Sequence, residues 1–165
     1  MEGITGMSAI RGTTEAFESA VAPHYGGLVR RLTAVVRDPE AGQDLAQEAY
    51  LRAFRAWDRF DGTDPRGWLH TIGLRLAFNE RDRRRRWERL VPGSRSIDAW
   101  VAPEDRTIHE ALGELRPEHR AALLLNAVDG YTQAEIGAML GVPPGTVASW
   151  LSRAKARLRE ALRYD

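Results

Sequence analysis

From Thr14 onward, apolar residues recur at spacings of three and four, and no run alternates long enough to make a strand, which predicts an all-α chain. Phe17, Val21, Leu28, Leu32 and Val35 or Val36 mark a first helix over Glu15 to Val36. Pro23 and the pair Gly26 and Gly27 are the points at which that helix would bend or break. Helix resumes at Ala41 and runs to about Phe60, with Leu45, Ala49, Phe54 or Ala53, Trp57 and Phe60 spaced to bury. The stretch DGTDPRG at 61–67 is a turn-rich loop. A third helix follows over 65–89, with Trp68, Leu69, Ile72, Leu76 and Ala77 or Phe78 on its core side. Residues 90–105 hold two prolines, a glycine and two serines and read as a linker, in which Ile97, Trp100 and Val101 are apolar. Helical spacing returns at Arg106, breaks at Arg116-Pro117, and continues to Val128. The organisation expected is a tail over 1–13, a helical domain over 14–89, the linker, and a second small helical domain over 106–165.

The most specific local pattern is TQAEIGAMLGVPPGTVASWLSRAKARLREAL, 132–162. Thr132 with Glu135 three residues on is a capping box. Ile136, Met139 and Leu140 share a face, Gly141 suits a left-handed helix end, and Pro143 and Pro144 suit a new helix start. Val147, Leu151, Ala154 and Leu158 form the buried stripe of the second helix, which leaves Thr146, Ser149 and Arg153 outward, followed by Lys155, Arg157 and Arg159. An ordinary helical hairpin with a solvated basic face shares the amphipathy. The order of capping box, glycine turn, proline restart and basic second helix favours a helix-turn-helix that lays its second helix in a DNA major groove.

Charge adds position rather than amount. The formal net charge is only +1, yet six arginines fall between Arg81 and Arg89, and five basic residues between Arg153 and Arg163. Two separated basic patches suit two contacts on a polyanion. Cations near a helix C-terminus also complement the dipole, which accounts for part of the first run. Only Lys155 among the 24 basic residues is lysine, a bias that a GC-rich genome explains before phosphate recognition does. The chain has no cysteine, no apolar run of membrane length and no apolar signal core, so a cytoplasmic protein is expected. His24, His70, His109 and His119 form no metal-ligand pair, and no nucleophile elbow or phosphate-cradling loop is present. Neither an enzyme nor a metal or cofactor is therefore expected.

With these elements in order, the chain resembles the extracytoplasmic-function sigma factors of bacterial RNA polymerase. Two blocks carry the likeness: DLAQEAYLRAFRAWDRFDG with RGWLHTIGLRLAFNERDRRRR, within 44–86, and the 112–162 block, in which Leu115-Arg116-Pro117-Glu118-His119-Arg120 precedes the helix-turn-helix. The resemblance implies that Asp44, Gln47, Glu48, Arg52 and Arg55 dock on the clamp helices of the polymerase's largest subunit. It implies that Arg66, Trp68, Arg75, Asn79, Arg83, Arg84, Arg85 and Arg86 serve the melted minus-ten element, with a stacking role for Trp68 weighed against a packing role that is the commoner one. Thr146, Ser149, Trp150, Arg153, Lys155 and Arg157 would serve the duplex minus-thirty-five element, with the flap of the second-largest subunit as a further polymerase contact. Many members of the family also bind an anti-sigma factor. Departures from the family pattern are Gly73-Leu74-Arg75 after Ile72, and Ala148 and Trp150 in the second helix of the motif. A free-standing helix-turn-helix repressor or activator is the rival reading; it leaves the arginine run at 81–89 without a role.

Overall fold

A computed structural model describes residues 3–90 and 106–163. Seven α-helices follow in order: α1 (Gly3–Val36), α2 (Pro39–Arg55), α3 (Pro65–Leu90), α4 (Arg106–Gly113), α5 (Pro117–Ala127), α6 (Gln133–Leu140) and α7 (Pro144–Ala161). No strand occurs among the described residues. The expected linker lies outside them except for Leu90, which ends α3.

The first half is a three-helix unit. α1 starts at Gly3, so the segment expected as a tail is helical over most of its length. It also runs through Pro23 without a break. Burial explains that: Phe17, Val21, Leu28, Leu32 and Val35 are all sealed in the core, and this tertiary packing outweighs the one backbone bond that proline forfeits. Arg37 ends α1 at φ 59, a left-handed position for a non-glycine residue. Asp38 then caps α2 by accepting the backbone N–H groups of Glu40 and Ala41 at 3.0 and 3.1 Å. α2 buries small residues, Gly42, Ala46, Ala49 and Ala53. A Cβ on Gly42 would come within 2.6 Å of the Thr33 backbone, so α1 and α2 approach as closely as glycine allows. The periodicity left Phe54 and Ala53 as alternatives for the core; Ala53 takes it and Phe54 is 43% exposed. α2 stops at Arg55, short of the expected Phe60, because the chain tightens into a 3-10 turn over Trp57–Arg59. That turn stacks Trp57 on Phe60, centroids 5.0 Å apart, and sets Trp57 edge-on to Phe17.

The second half is built on α5, buried from His119 to Leu125, with α6 and α7 across it. The two halves share one hydrophobic core. α3 lies against α6, and α1 against α5.

Candidate nucleic-acid interface

The helix-turn-helix forms as its sequence demands. Thr132 Oγ1 accepts the Glu135 backbone N–H at 3.2 Å, and Glu135 Oε2 accepts the Thr132 N–H at 2.7 Å. Gly141 sits at φ 69, where a side chain would be strained, and α7 restarts at Pro144. Gly137 is required by closeness instead: a Cβ there would stand 2.6 Å from the Val142 carbonyl oxygen. Val147, Leu151 and Ala154 turn α7 inward. The outward face then carries Ser149, Ser152, Arg153 and Ala156, with Thr146 and Ala148 half-buried beside them. Ser152 was not singled out by the sequence reading, although it lies three residues from Ser149 on the same face. Lys155, Arg157 and Arg159 are exposed further along. Arg157 bridges Glu114 at 2.8 Å and Glu160 at 3.0 Å. Trp150 is half-buried with its ring tilted against His119, centroids 5.9 Å apart. Its first role is packing α7 onto α5.

On α3, Arg75, Asn79, Arg83 and Arg86 are exposed at spacings of four, four and three, which is one stripe along the helix. Arg83 pairs with Glu80 at 2.9 Å. Arg84 and Arg85 lie on the same helix, with side chains outside the described ones. Leu74, one of the departures from the family pattern, is fully buried, so it belongs to the core rather than to a reading surface. Trp68 is half-buried against Phe60 at 4.9 Å and Trp57 at 6.2 Å, the packing position weighed for it above. Arg66 reaches toward the other half, where the Asp129 carboxylate takes its Nη2 at 2.8 Å, while its side chain stays 37% exposed.

On α2, Asp44, Gln47, Arg52 and Arg55 are exposed and Glu48 half-exposed, with Arg52 Nε donating to Glu48 Oε1 at 2.6 Å. The sequence reading missed two apolar members of this face, Leu51 at 49% and Phe54 at 43% exposure. Leu51 lines a groove of about 380 Å³ together with Ala22, Tyr25, Gln47 and Tyr50.

Several charged groups join the halves. Arg120, the last residue of the Leu-x-Pro-x-x-Arg pattern, is 4% exposed and donates to the carbonyls of Leu112 at 2.7 Å, Leu115 at 2.8 Å and Gly113 at 3.3 Å. Its Nη1 also donates to the Val35 carbonyl, in the last turn of α1. Burial, with Arg37 nearby, pulls Arg120 down to about 10, so it stays charged at neutral pH. Arg81 pairs with Glu118 at 2.6 Å. Burial pushes the Glu118 carboxyl up, but the Arg81 hydrogen bond and charge outweigh it and leave Glu118 below its ordinary value. Asp129 behaves likewise: burial raises it, and Arg31, His70 and Arg66 together bring it lower than an ordinary aspartate. His70, 2% exposed, faces the Tyr131 ring, and burial holds its imidazole down at about 4. No group of acidic and histidine side chains among the described residues could hold a metal ion. No described helix is long and apolar enough to cross a membrane.

These halves define a two-part, all-α helix-turn-helix protein. Residues 20–91 match Sigma-70 region 2, and residues 105–158 match Sigma-70 region 4. RNA polymerase sigma factor CarQ of Myxococcus xanthus is 31% identical over 159 residues, spanning 92% of this chain and 91% of CarQ. The ECF RNA polymerase sigma factor SigM of Mycobacterium tuberculosis is 33% identical over 165 residues, spanning 94% of this chain and 81% of SigM. Sigma factor RpoE of Bartonella quintana, solved in complex with the anti-sigma factor NepR, has the same fold, with a TM-score of 0.83 at 23% identity over 92% of this chain and 99% of that one. The chain belongs to the extracytoplasmic-function RNA polymerase sigma factors, the subunits that direct core polymerase to promoters and start transcription there.

Proposed function

We propose that three exposed faces divide the work. The α2 face of Asp44, Gln47, Glu48, Arg52 and Arg55, with Leu51 and Phe54 added, docks on the clamp helices of polymerase. The α3 stripe of Arg75, Asn79, Arg83 and Arg86 meets the opened minus-ten strand, and the resemblance keeps Arg84 and Arg85 in that set. Phosphate contacts from such a stripe give salt-sensitive affinity, while a few base-edge contacts give specificity. Thr146, Ser149, Ser152 and Arg153 of α7 face the minus-thirty-five major groove, and Lys155 and Arg157 reach its phosphates or the polymerase flap. Trp68 and Trp150 support these surfaces from beneath. The protein has no catalysis of its own and works in the cytoplasm, where polymerase and DNA are.

The observation that carries this reading is the four-residue stripe on α3, separate from both the core and the α2 face. Its test is the double variant Arg75→Ala, Asn79→Ala, assayed for core binding and for permanganate-reactive thymines at a promoter it opens. Core binding should hold within about twofold and strand opening should fall about tenfold or more, the range of one or two lost base or phosphate contacts. Equal loss of both would contradict the division of labour.

A further inference from the structure

The exposed stripe along α3 is not uniform. Thr71, one turn before Arg75, donates its hydroxyl to the Gly67 carbonyl at 2.8 Å. Arg83 Nη2 is held by Glu80 at 2.9 Å, and the nearby Arg81 by Glu118 at 2.6 Å. Between these tied groups stand Arg75 and Asn79, both exposed and both without a hydrogen bond or ion pair among the described residues. The helix under them is pressed close to α1. Leu74 is fully buried, Ala77 is 2% exposed, and a Cβ on Gly73 would stand 2.8 Å from a Leu28 methyl. Gly73 and Leu74, two of the departures from the family pattern, thus seat the helix, and Arg75, the third, is left at its crest.

The chemistry of this pair differs from that of the arginine run beyond it. A phosphate selects for positive charge, which Asn79 lacks, so an amide on this crest gains little from a strand's backbone. Both side chains are instead bidentate toward base edges. A guanidinium donates twice, to the O6 and N7 of guanine, and a carboxamide exchanges two bonds with the N6 and N7 of adenine. Four residues along a helix rise about 6 Å, nearly twice the roughly 3.4 Å per nucleotide of a stacked strand. That spacing suits bases drawn out of their stack, as in a melted element, and a rigid helix holds both groups in register for them.

We infer that Arg75 and Asn79 determine which bases the protein accepts in the melted strand, Arg75 selecting a guanine and Asn79 an adenine within two nucleotides of it. Arg83 and Arg86, further along the stripe, hold the backbone and select nothing. The inference rests on the promoter reading above for the presence of a melted strand, and on the unpaired guanidinium and amide for what is read there.

The test uses the full chain with core polymerase on promoter templates whose minus-ten region is held open by mismatches, which separates base reading from melting. Each guanine of the opened region is replaced in turn by 7-deazaguanine, which lacks the N7 acceptor, and each adenine by 7-deazaadenine. The wild-type complex should lose affinity about tenfold at one guanine and about fivefold at one adenine, the effect of one charged and one neutral hydrogen bond. Arg75→Lys keeps the charge; it should keep the salt slope of binding and become indifferent to 7-deazaguanine. Asn79→Ala should become indifferent to 7-deazaadenine alone. Helicity at 222 nm and core binding check that both variants fold and assemble. A wild type that ignores both analogues at every position overturns the assignment. So does an Arg75→Lys variant that binds all templates more weakly but ranks them as the wild type does. A wild-type complex that binds no opened template overturns the promoter reading itself, and this inference falls with it.

Discussion

Replacing Arg120 by Met tests the contact that ties α4, α5 and α1 together. The guanidinium is 4% exposed and serves the carbonyls of Leu112, Leu115, Gly113 and Val35. A hydrogen bond from a charged donor contributes about 1.5–3 kcal/mol net. Three short ones, to Leu112, Leu115 and Val35, would total roughly 4–9 kcal/mol if additive. Against this stands the cost of keeping a cation buried, several kcal/mol that Met does not bear. The difference leaves a loss of about 3 kcal/mol, with the carbonyls stripped of their donor and the side-chain volume nearly kept. For a chain of this size that lowers Tm by about 6–12 °C, read by circular dichroism at 222 nm. Arg120→Lys should recover less than half, since an ammonium offers a point donor in place of a fork that reaches several carbonyls. A fall of under about 2 °C for Arg120→Met would refute the idea that these four bonds hold the helix ends together.

Three further outcomes follow from the same geometry. His70 is held at about 4 when folded against 6.5 unfolded, so the unfolded chain binds more protons between those values; its contribution is whole above pH 6.5 and is lost as pH falls toward 4. Urea midpoints measured across that window should flatten in His70→Leu, and an unchanged slope would place the titration elsewhere. Gly137→Ala puts a methyl 2.6 Å from the Val142 carbonyl and should cost about 2 kcal/mol or more in denaturant melts, together with upstream-element binding in footprints. Leu51→Ser with Phe54→Ser should weaken core polymerase affinity about tenfold, or about 1.4 kcal/mol, with a smaller fall in Tm, because Leu51 is half in solvent while the Phe54 ring also packs edge-on to Phe17 at 5.2 Å.

What the sequence disclosed was local. The capping box at Thr132 and Glu135, the turn at Gly141 and the break before Pro117 depend on a few adjacent residues, and each stands in the structure where the spacing put it. Adjacent apolar residues were harder. Nothing in the period separates Phe54 from Ala53; only the close approach of α1, visible at Gly42, decides that the small one goes in. Pro23 misled because local propensity is a weak guide beside the burial of Phe17, Val21 and Leu28 around it. The pairings of Arg31 and Arg66 with Asp129 span 98 and 63 residues, and no pattern within one helix announces them. Arg66 is a case in point: its charge is visible in the sequence and its partner Asp129 is not. Arg120 is intermediate, legible as a motif position and explicable only once four carbonyls surround it.

The central claim is that two reading surfaces of one chain direct core polymerase to promoters. Run-off transcription of genomic fragments by core polymerase, with and without the protein, tests it most directly when Arg75→Ala with Asn79→Ala and Arg153→Ala are run beside the wild type. The account predicts new start sites with the wild type only, each preceded by a shared pair of elements about 25 base pairs apart, and loss of those starts in either variant. Start sites that do not change when the protein is added, or that survive both variants undiminished, would contradict it.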